Sequence, residues 1–153
     1  METKNRESIF IAPMPDGLAR CQWTEDAVQL VNERFLRKSS DGKIIETIEE
    51  MCWRVAFYIS SADQKYGKTE EEIVELAKEF YGLMAERKFF PNAPTMYNVG
   101  TGNGLQFSAC FVLPIGDSME EIYDAIKWQA LIHKSGGGTG FSKPGFIFFD
   151  ILI

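Results

Sequence analysis

The apolar pattern of this chain changes period at Phe89, and that change limits the possible folds more than any other feature. Before it, the pattern is helical. Thr47 and Glu50 stand three apart, as do Thr69 and Glu72, which is the spacing of a capping box. Behind the first box Ile48, Met51, Cys52, Val55, Ile59 and Ala62 recur at the helical period, and behind the second Ile73, Leu76, Ala77, Phe80, Leu83 and Met84 do the same. Thr24 offers a cap for an earlier helix running to about Arg37, with Ala27, Leu30, Val31 and Phe35 on one face. Ser39 to Gly42 reads as a turn. Residues 24–86 therefore read as three packed helices, preceded by an irregular arm that Pro13, Pro15 and Gly17 interrupt.

After Phe89 the helical period stops. The stretch FFPNAPTMYNVGTGNG carries two prolines, three asparagines and three glycines, and reads as a long structured loop. LQFSACFVLP then reads as a buried strand. Asp117 or Ser118 can cap a helix whose face holds Met119, Ile122, Tyr123, Ile126, Ala130 and His133. Gly136 to Gly138 end that helix, and a second strand is expected near Phe141. Helices followed by strand–helix–strand give an α/β domain behind a helical one.

Charge narrows the partners. A net charge of -6 argues against nonspecific nucleic-acid binding and against a basic membrane-binding surface. It leaves single nucleotides open, because a few local donors hold a phosphate in an acidic protein. No apolar run approaches the roughly 20 residues of a membrane span, and the first residues lack the apolar core of a signal peptide. The three cysteines, Cys21, Cys52 and Cys110, are far apart and form no CxxC, so neither a zinc site nor a disulfide framework follows. A reducing, cytoplasmic compartment is the default expectation.

The residues that could carry chemistry each have a plain alternative. Cys110, mid-strand between Ala109 and Phe111, is either a small buried hydrophobe or a redox thiol. Cys52 reads as core, and Cys21, in a loop beside Trp23, says little. The KSGGGTG run from Lys134 is either a helix C-cap or a loop that lets backbone amides approach an anion. It follows a helix rather than opening one, so it is not a P-loop. Asp117-Ser118 is either an N-cap or a base or ribose contact, and His133 reads as a packed core histidine.

Taken in order, PNAPT, SACF, GDSM and HKSGGGTGFS make the chain resemble the large catalytic subunit of ribonucleotide reductase, in particular its adenosylcobalamin-dependent class. The segment NERFLRKSSDGKIIETIEEMCWRVAFYIS resembles the helical region that introduces that family's barrel. The resemblance implies an α/β fold: an N-terminal helical domain, then the first strand–helix–strand portion of a ten-stranded α/β barrel, truncated. The expected divisions are an arm over 1–23, the helical domain over 24–87, the barrel start over 88–142 and an atypical tail over 143–153. It implies that Cys110 is one of two redox-active thiols that reduce the ribose and become a disulfide. It places substrate at Ala93, Ala109, Cys110 and Gly138, where Ala93 replaces the family's usual serine and leaves only backbone contacts. It places a deoxynucleoside triphosphate effector at Asp117, Ser118 and Lys134, and assigns no metal ligand. Adenosylcobalamin would be the cofactor, a thioredoxin- or glutaredoxin-type protein the reductant, and a homodimer one available assembly. The expected function is radical reduction of ribonucleotides to deoxyribonucleotides, with these 153 residues inactive alone. Two alternatives stay open: a non-catalytic nucleotide-binding or interaction fragment, and the oxygen-dependent class of the same family.

Overall fold

The computed structural model describes residues 10–142, in two compact units that divide between Phe107 and Ser108. The tail expected over 143–153 and the first nine residues of the arm lie outside the described residues.

The first unit is built on local helix signals. Helix α1 spans Glu25–Arg34, with Thr24 as its N-cap. Helix α2 spans Ile48–Ser60, α3 spans Glu70–Ala85, and a 3-10 turn over Ser61–Tyr66 joins them. Both capping boxes close. The Thr47 amide donates to Glu50 Oε2 at 2.7 Å and the Thr69 amide to Glu72 Oε2 at 2.8 Å, each answered by the reverse bond to the threonine hydroxyl. Each box satisfies amides that a helix start leaves without partners. The apolar faces of α2 and α3 pack together around Met51, Cys52, Val55, Ala77 and Tyr81, all buried.

Two expectations are corrected here. The stretch after Phe89 is not a loop throughout, for α4 spans Ala93–Asn98. Asn92 caps it, its Oδ1 accepting from the Thr95 amide at 3.0 Å, and Pro94 sits in its first turn, where a missing N–H costs nothing. Residues 88–107 also group with the first unit, and not with the strands that follow, as a boundary after 87 had implied. The reason is aromatic packing. Phe90 meets Trp23 edge-on at 5.5 Å, Phe35 stacks on Tyr97 at 6.4 Å, and Phe107 meets Tyr58 edge-on at 5.7 Å.

One buried ion pair closes this unit. Arg54, 3% exposed, donates to both carboxylate oxygens of Glu46, at 2.8 and 3.0 Å, and to the carbonyls of Val99 and Met96. A guanidinium in the interior needs this full set of acceptors.

The second unit is a strand–helix–strand. Strand β1 spans Cys110–Pro114, α5 spans Met119–Lys134 and β2 spans Gly138–Ser142. The strands are parallel, with Cys110 beside Gly138 and Pro114 beside Ser142. Helix α5 is the crossover that a parallel pair requires. Here too the structure differs from expectation. The second strand starts at Gly138, not near Phe141, because the sheet partner draws the glycines into its ladder. Strand β1 alternates between exposed and half-covered positions, so it is not buried. The anticipated apolar face of α5 has one buried neighbour, Ala125, while Met119, Tyr123 and Ile126 are exposed.

Candidate functional site

Three of the expected site residues converge at the entrance of the parallel pair. The Gly138 amide donates to the Ala109 carbonyl at 2.6 Å, and Cys110 and Gly138 are register partners, about 4.8 Å apart as neighbouring strands are. Cys110 opens β1 and is exposed. Among the described residues Cys110 is thus exposed, where a buried strand position was expected. Its thiol is reachable by a ligand lying over Ala109 and Gly138.

The glycine run separates into structural and free positions. Gly136 has φ 88°, the left-handed conformation of a helix C-cap, and its amide bonds the His133 carbonyl at 3.0 Å. Gly137 is buried so closely against Ile132 and Phe111 that an added Cβ would meet each at 2.8 Å. Local structure explains both. At Gly138 an added Cβ would reach only ordinary contact, 3.5 Å from the Ala109 carbonyl, and at Gly140 it would meet open space. Neither residue needs to be glycine for the fold of this unit. Their bare backbone leaves room beside the thiol, which is what a close-lying sugar or phosphate requires.

Asp117, Ser118 and Lys134 lie at the two ends of α5. Ser118 is its N-cap: the Glu121 amide donates to Ser118 Oγ at 3.2 Å, and the Ser118 hydroxyl to Glu121 Oε2 at 2.7 Å. Gly116 is explained by the same box, since a Cβ there would collide with the Glu121 carboxylate. A hollow of 220 Å³ beside this end is walled by Leu113, Pro114, Glu121, Asp124 and Trp128. Its carboxylates suit a base or ribose hydroxyl better than a phosphate. Lys134 closes the other end, where the helix dipole is negative, so any anion there depends on the ammonium alone. Sixteen helical residues hold the two ends about 24 Å apart, so one chain does not bring them to one nucleotide.

Ala93 is the first residue of α4 in the other unit and is exposed. Polar side chains hold the turn that follows it. Asn98, buried, donates to the Gln106 carbonyl at 2.9 Å and accepts from Asn103 at 2.6 Å, and Thr95 Oγ1 lies 3.0 Å from the Phe107 carbonyl. Thr95, Asn98 and Asn103 were missed as organisers of this region. The signal was present in PNAPT, as an Asx cap followed by a proline. His133 is corrected as well. It is exposed rather than packed in a core, and its Nε2 lies 2.8 Å from Thr139 Oγ1, tying the last turn of α5 to β2.

The second unit's hollow is smaller than the roughly 300–1,000 Å³ that even drug-sized ligands occupy. A cavity of 320 Å³ in the first unit, among Val55, Ile59, Phe80, Leu83 and Phe89, has wholly apolar walls and nothing to orient a nucleotide. No cluster of metal-ligating side chains occurs among the described residues, and none of their helices is long and apolar enough to cross a membrane.

Fold and site together define the beginning of an α/β barrel behind an all-helical domain. Residues 23–104 match the family described as "Ribonucleotide reductase, all-alpha domain", and residues 108–143 match "Ribonucleotide reductase, barrel domain". The chain belongs to the ribonucleotide reductase family. It is 37% identical to a vitamin B12-dependent ribonucleoside-diphosphate reductase of Thermoplasma acidophilum, over 78% of this chain and 22% of that protein. A protein of the same description from Mycobacterium tuberculosis is 34% identical, over 76% of this chain and 16% of the relative. The ribonucleoside-diphosphate reductase large chain of Schizosaccharomyces pombe is 39% identical, over 72% of this chain and 12% of the relative. The chain thus spans about a fifth or less of the length of these relatives.

Proposed function

We propose that this chain supplies the helical domain and the first strands of a cobalamin-dependent ribonucleotide reductase, in which Cys110 is one of the two thiols that reduce the ribose. The observation that carries the reading is the exposed thiol of Cys110 beside the bare backbone of Gly138 and the bonded Ala109 carbonyl. Removing a 2'-hydroxyl takes two electrons, which two thiols provide on becoming a disulfide. The family resemblance places the partner thiol of Cys110 in the later part of the barrel, and Cys21 and Cys52 belong to the helical unit. Adenosylcobalamin, which supplies radical initiation when bound, is likewise held outside the described residues, and a thioredoxin- or glutaredoxin-type protein re-reduces the dithiol.

Within this reading Ala109 and Gly138 hold the substrate through backbone groups, and Ala93 adds a backbone contact where a serine would add a hydroxyl. Asp117, Ser118 and Lys134 belong to effector recognition. The roughly 24 Å between the ends of α5 supports a homodimer in which each effector takes one end from either copy. Similarity to the S. pombe large chain, whose description names no cofactor, keeps the oxygen-dependent class as the second reading.

The test is a chimera in which residues 24–142 replace the matching segment of the T. acidophilum protein. With adenosylcobalamin, a dithiol and a ribonucleotide, the chimera is expected to turn over many times, and its Cys110→Ser variant to stop within one turnover. Effector binding should remain intact in the variant. The free 153-residue chain should form no deoxynucleotide above blank. Sustained turnover by Cys110→Ser would reduce Cys110 to a packing residue. A cofactor-independent chimera that requires an oxygen-derived radical would favour the second reading.

A further inference from the structure

A second pair of thiols lies in the helical unit and shares no residue with the proposed reductase site. Cys21, half-buried at the end of the arm, and Cys52, fully buried on α2, come within 4.0 Å through their sulfurs, although 31 positions separate them in sequence. The approach is built rather than incidental. The Cys21 amide donates to Glu49 Oε1 at 3.2 Å, one turn before Cys52 on the same helix. On the near side Tyr81 Oη donates to the Ala19 carbonyl at 2.6 Å, and on the far side Trp23 Nε1 donates to the Met84 carbonyl at 3.3 Å. Three side chains from three elements thus fix the backbone around Cys21 so that its sulfur faces Cys52. A disulfide has an S–S length of about 2.05 Å, so closure takes a movement of about 2 Å.

We propose that Cys21 and Cys52 form a reversible dithiol–disulfide switch that locks the N-terminal arm onto α2. The two thiols divide the work. The hydrogen bond from Cys52 holds the Cys21 thiol below the usual cysteine range, against burial and the charge of Glu49, while that same hydrogen bond, together with burial, pushes Cys52 well above it. Cys21, the more accessible sulfur, is thereby the more readily ionised of the two. With hydrogen peroxide as oxidant, Cys21 attacks one oxygen and the O–O bond breaks. Hydroxide leaves, takes a proton and becomes water, and Cys21 is a sulfenic acid. The Cys52 sulfur then attacks the Cys21 sulfur, and the Cys52 proton goes with the departing hydroxide as a second water. Two thiols lose two electrons and two protons, and one peroxide becomes two waters. A dithiol reverses the bond by exchange.

The test uses the 153-residue chain, treated with hydrogen peroxide, quenched with N-ethylmaleimide, digested and mapped by mass spectrometry. A loss of 2 Da, a peptide pair joining Cys21 to Cys52, an alkylated Cys110 and recovery of all thiols with dithiothreitol are expected. The midpoint of thermal unfolding should rise by at least about 5 °C on oxidation, because the crosslink closes a loop in the unfolded chain. Before oxidation, iodoacetamide should label Cys21 at least tenfold faster than Cys52. Cys21→Ser should abolish the 2 Da loss, and Cys110→Ser should leave it unchanged. The mapping on the unsubstituted chain stands even where a variant folds poorly. Three thiols still alkylated after peroxide, a bridge to Cys110, or a midpoint that falls on oxidation would each overturn the proposal.

Discussion

The two units of this chain bury their apolar side chains to very different degrees. Residues 10–107 close around an apolar core in which Met51, Cys52, Ala77, Met96 and Val99 have no exposed surface. Residues 108–142 bury one apolar side chain, Ala125, and leave Val112 at 73% and Met119 at 65% exposed. Both contain well-capped helices of similar length, α3 and α5, each of 16 residues with a complete capping box. Helix quality is therefore not what separates them. A helix becomes stable through the face it buries, and α3 has a partner in α2 while α5 rests on two strands. Two strands fall short of the three or more that an independent sheet needs. The first unit closes its own core, and the second, which matches the barrel-domain family, buries almost none among the described residues.

The largest expected effect follows directly. Expressed alone, residues 10–107 should retain helical circular dichroism and a cooperative thermal transition, whereas residues 108–142 alone should show neither. A cooperative transition in the second piece would break the comparison. Next comes the buried ion pair of the first unit. Arg54→Met leaves the buried Glu46 carboxylate with the Arg37 amide but without its counter-charge, takes a donor from two carbonyls, and should lower stability by about 3–5 kcal/mol in denaturant titration. Lys78→Ala, which removes an exposed pair with Glu75 of similar length, should cost less than about 0.5 kcal/mol. Equal losses for the two would mean that the burial of Arg54 is not what matters.

Capping sharpens the contrast further. Thr69→Ala removes the box of α3 and should cost about 1 kcal/mol in the transition of the first unit. Ser118→Ala removes the same box from α5 and should leave that transition unmoved. The smallest effect belongs to the turn before α2. The Ser39 hydroxyl, and then the Lys43 ammonium, hold the Asp41 carboxyl below the usual range. A folded-state pKa lower than the unfolded one gives stability that is complete above the unfolded value and is lost as pH falls through the folded one. Asp41→Asn should therefore change the midpoint slightly at neutral pH and not at all at the acid end. A difference that grows toward acid would reverse that sign.

The same contrast explains what could be read from sequence. Thr24, Thr47 and Thr69 announced their helices because a cap and its partner lie three residues apart, and nothing distant decides them. The α/β order was legible for the same reason. The burial of Cys110 and of the α5 face was not, because it depends on strands that are not sequence neighbours. Gly138 read as part of a helix cap, since glycine disfavours strands, yet pairing with Cys110 outweighs that preference. Helix α4 was hidden by its own punctuation. Proline and asparagine suggested a loop, whereas Asn92 and Pro94 were cap and first turn. The distance between Asp117 and Lys134 needed only the helix length, and a helical rise of about 1.5 Å per residue already separates them.

The arm carries a consequence in time. Ala12 and Ala19 present carbonyls to Trp53 and Tyr81, and Trp23 donates to Met84, at sequence separations of 41, 62 and 61. A ribosome makes the arm first and these partners last. At roughly 5–20 residues per second, the arm waits about 3–12 s for α3 to be synthesised. Cys52 follows Cys21 by 31 residues and Tyr81 comes later still, so until they are made the Cys21 thiol is more open to chemistry in the nascent chain than in the finished protein.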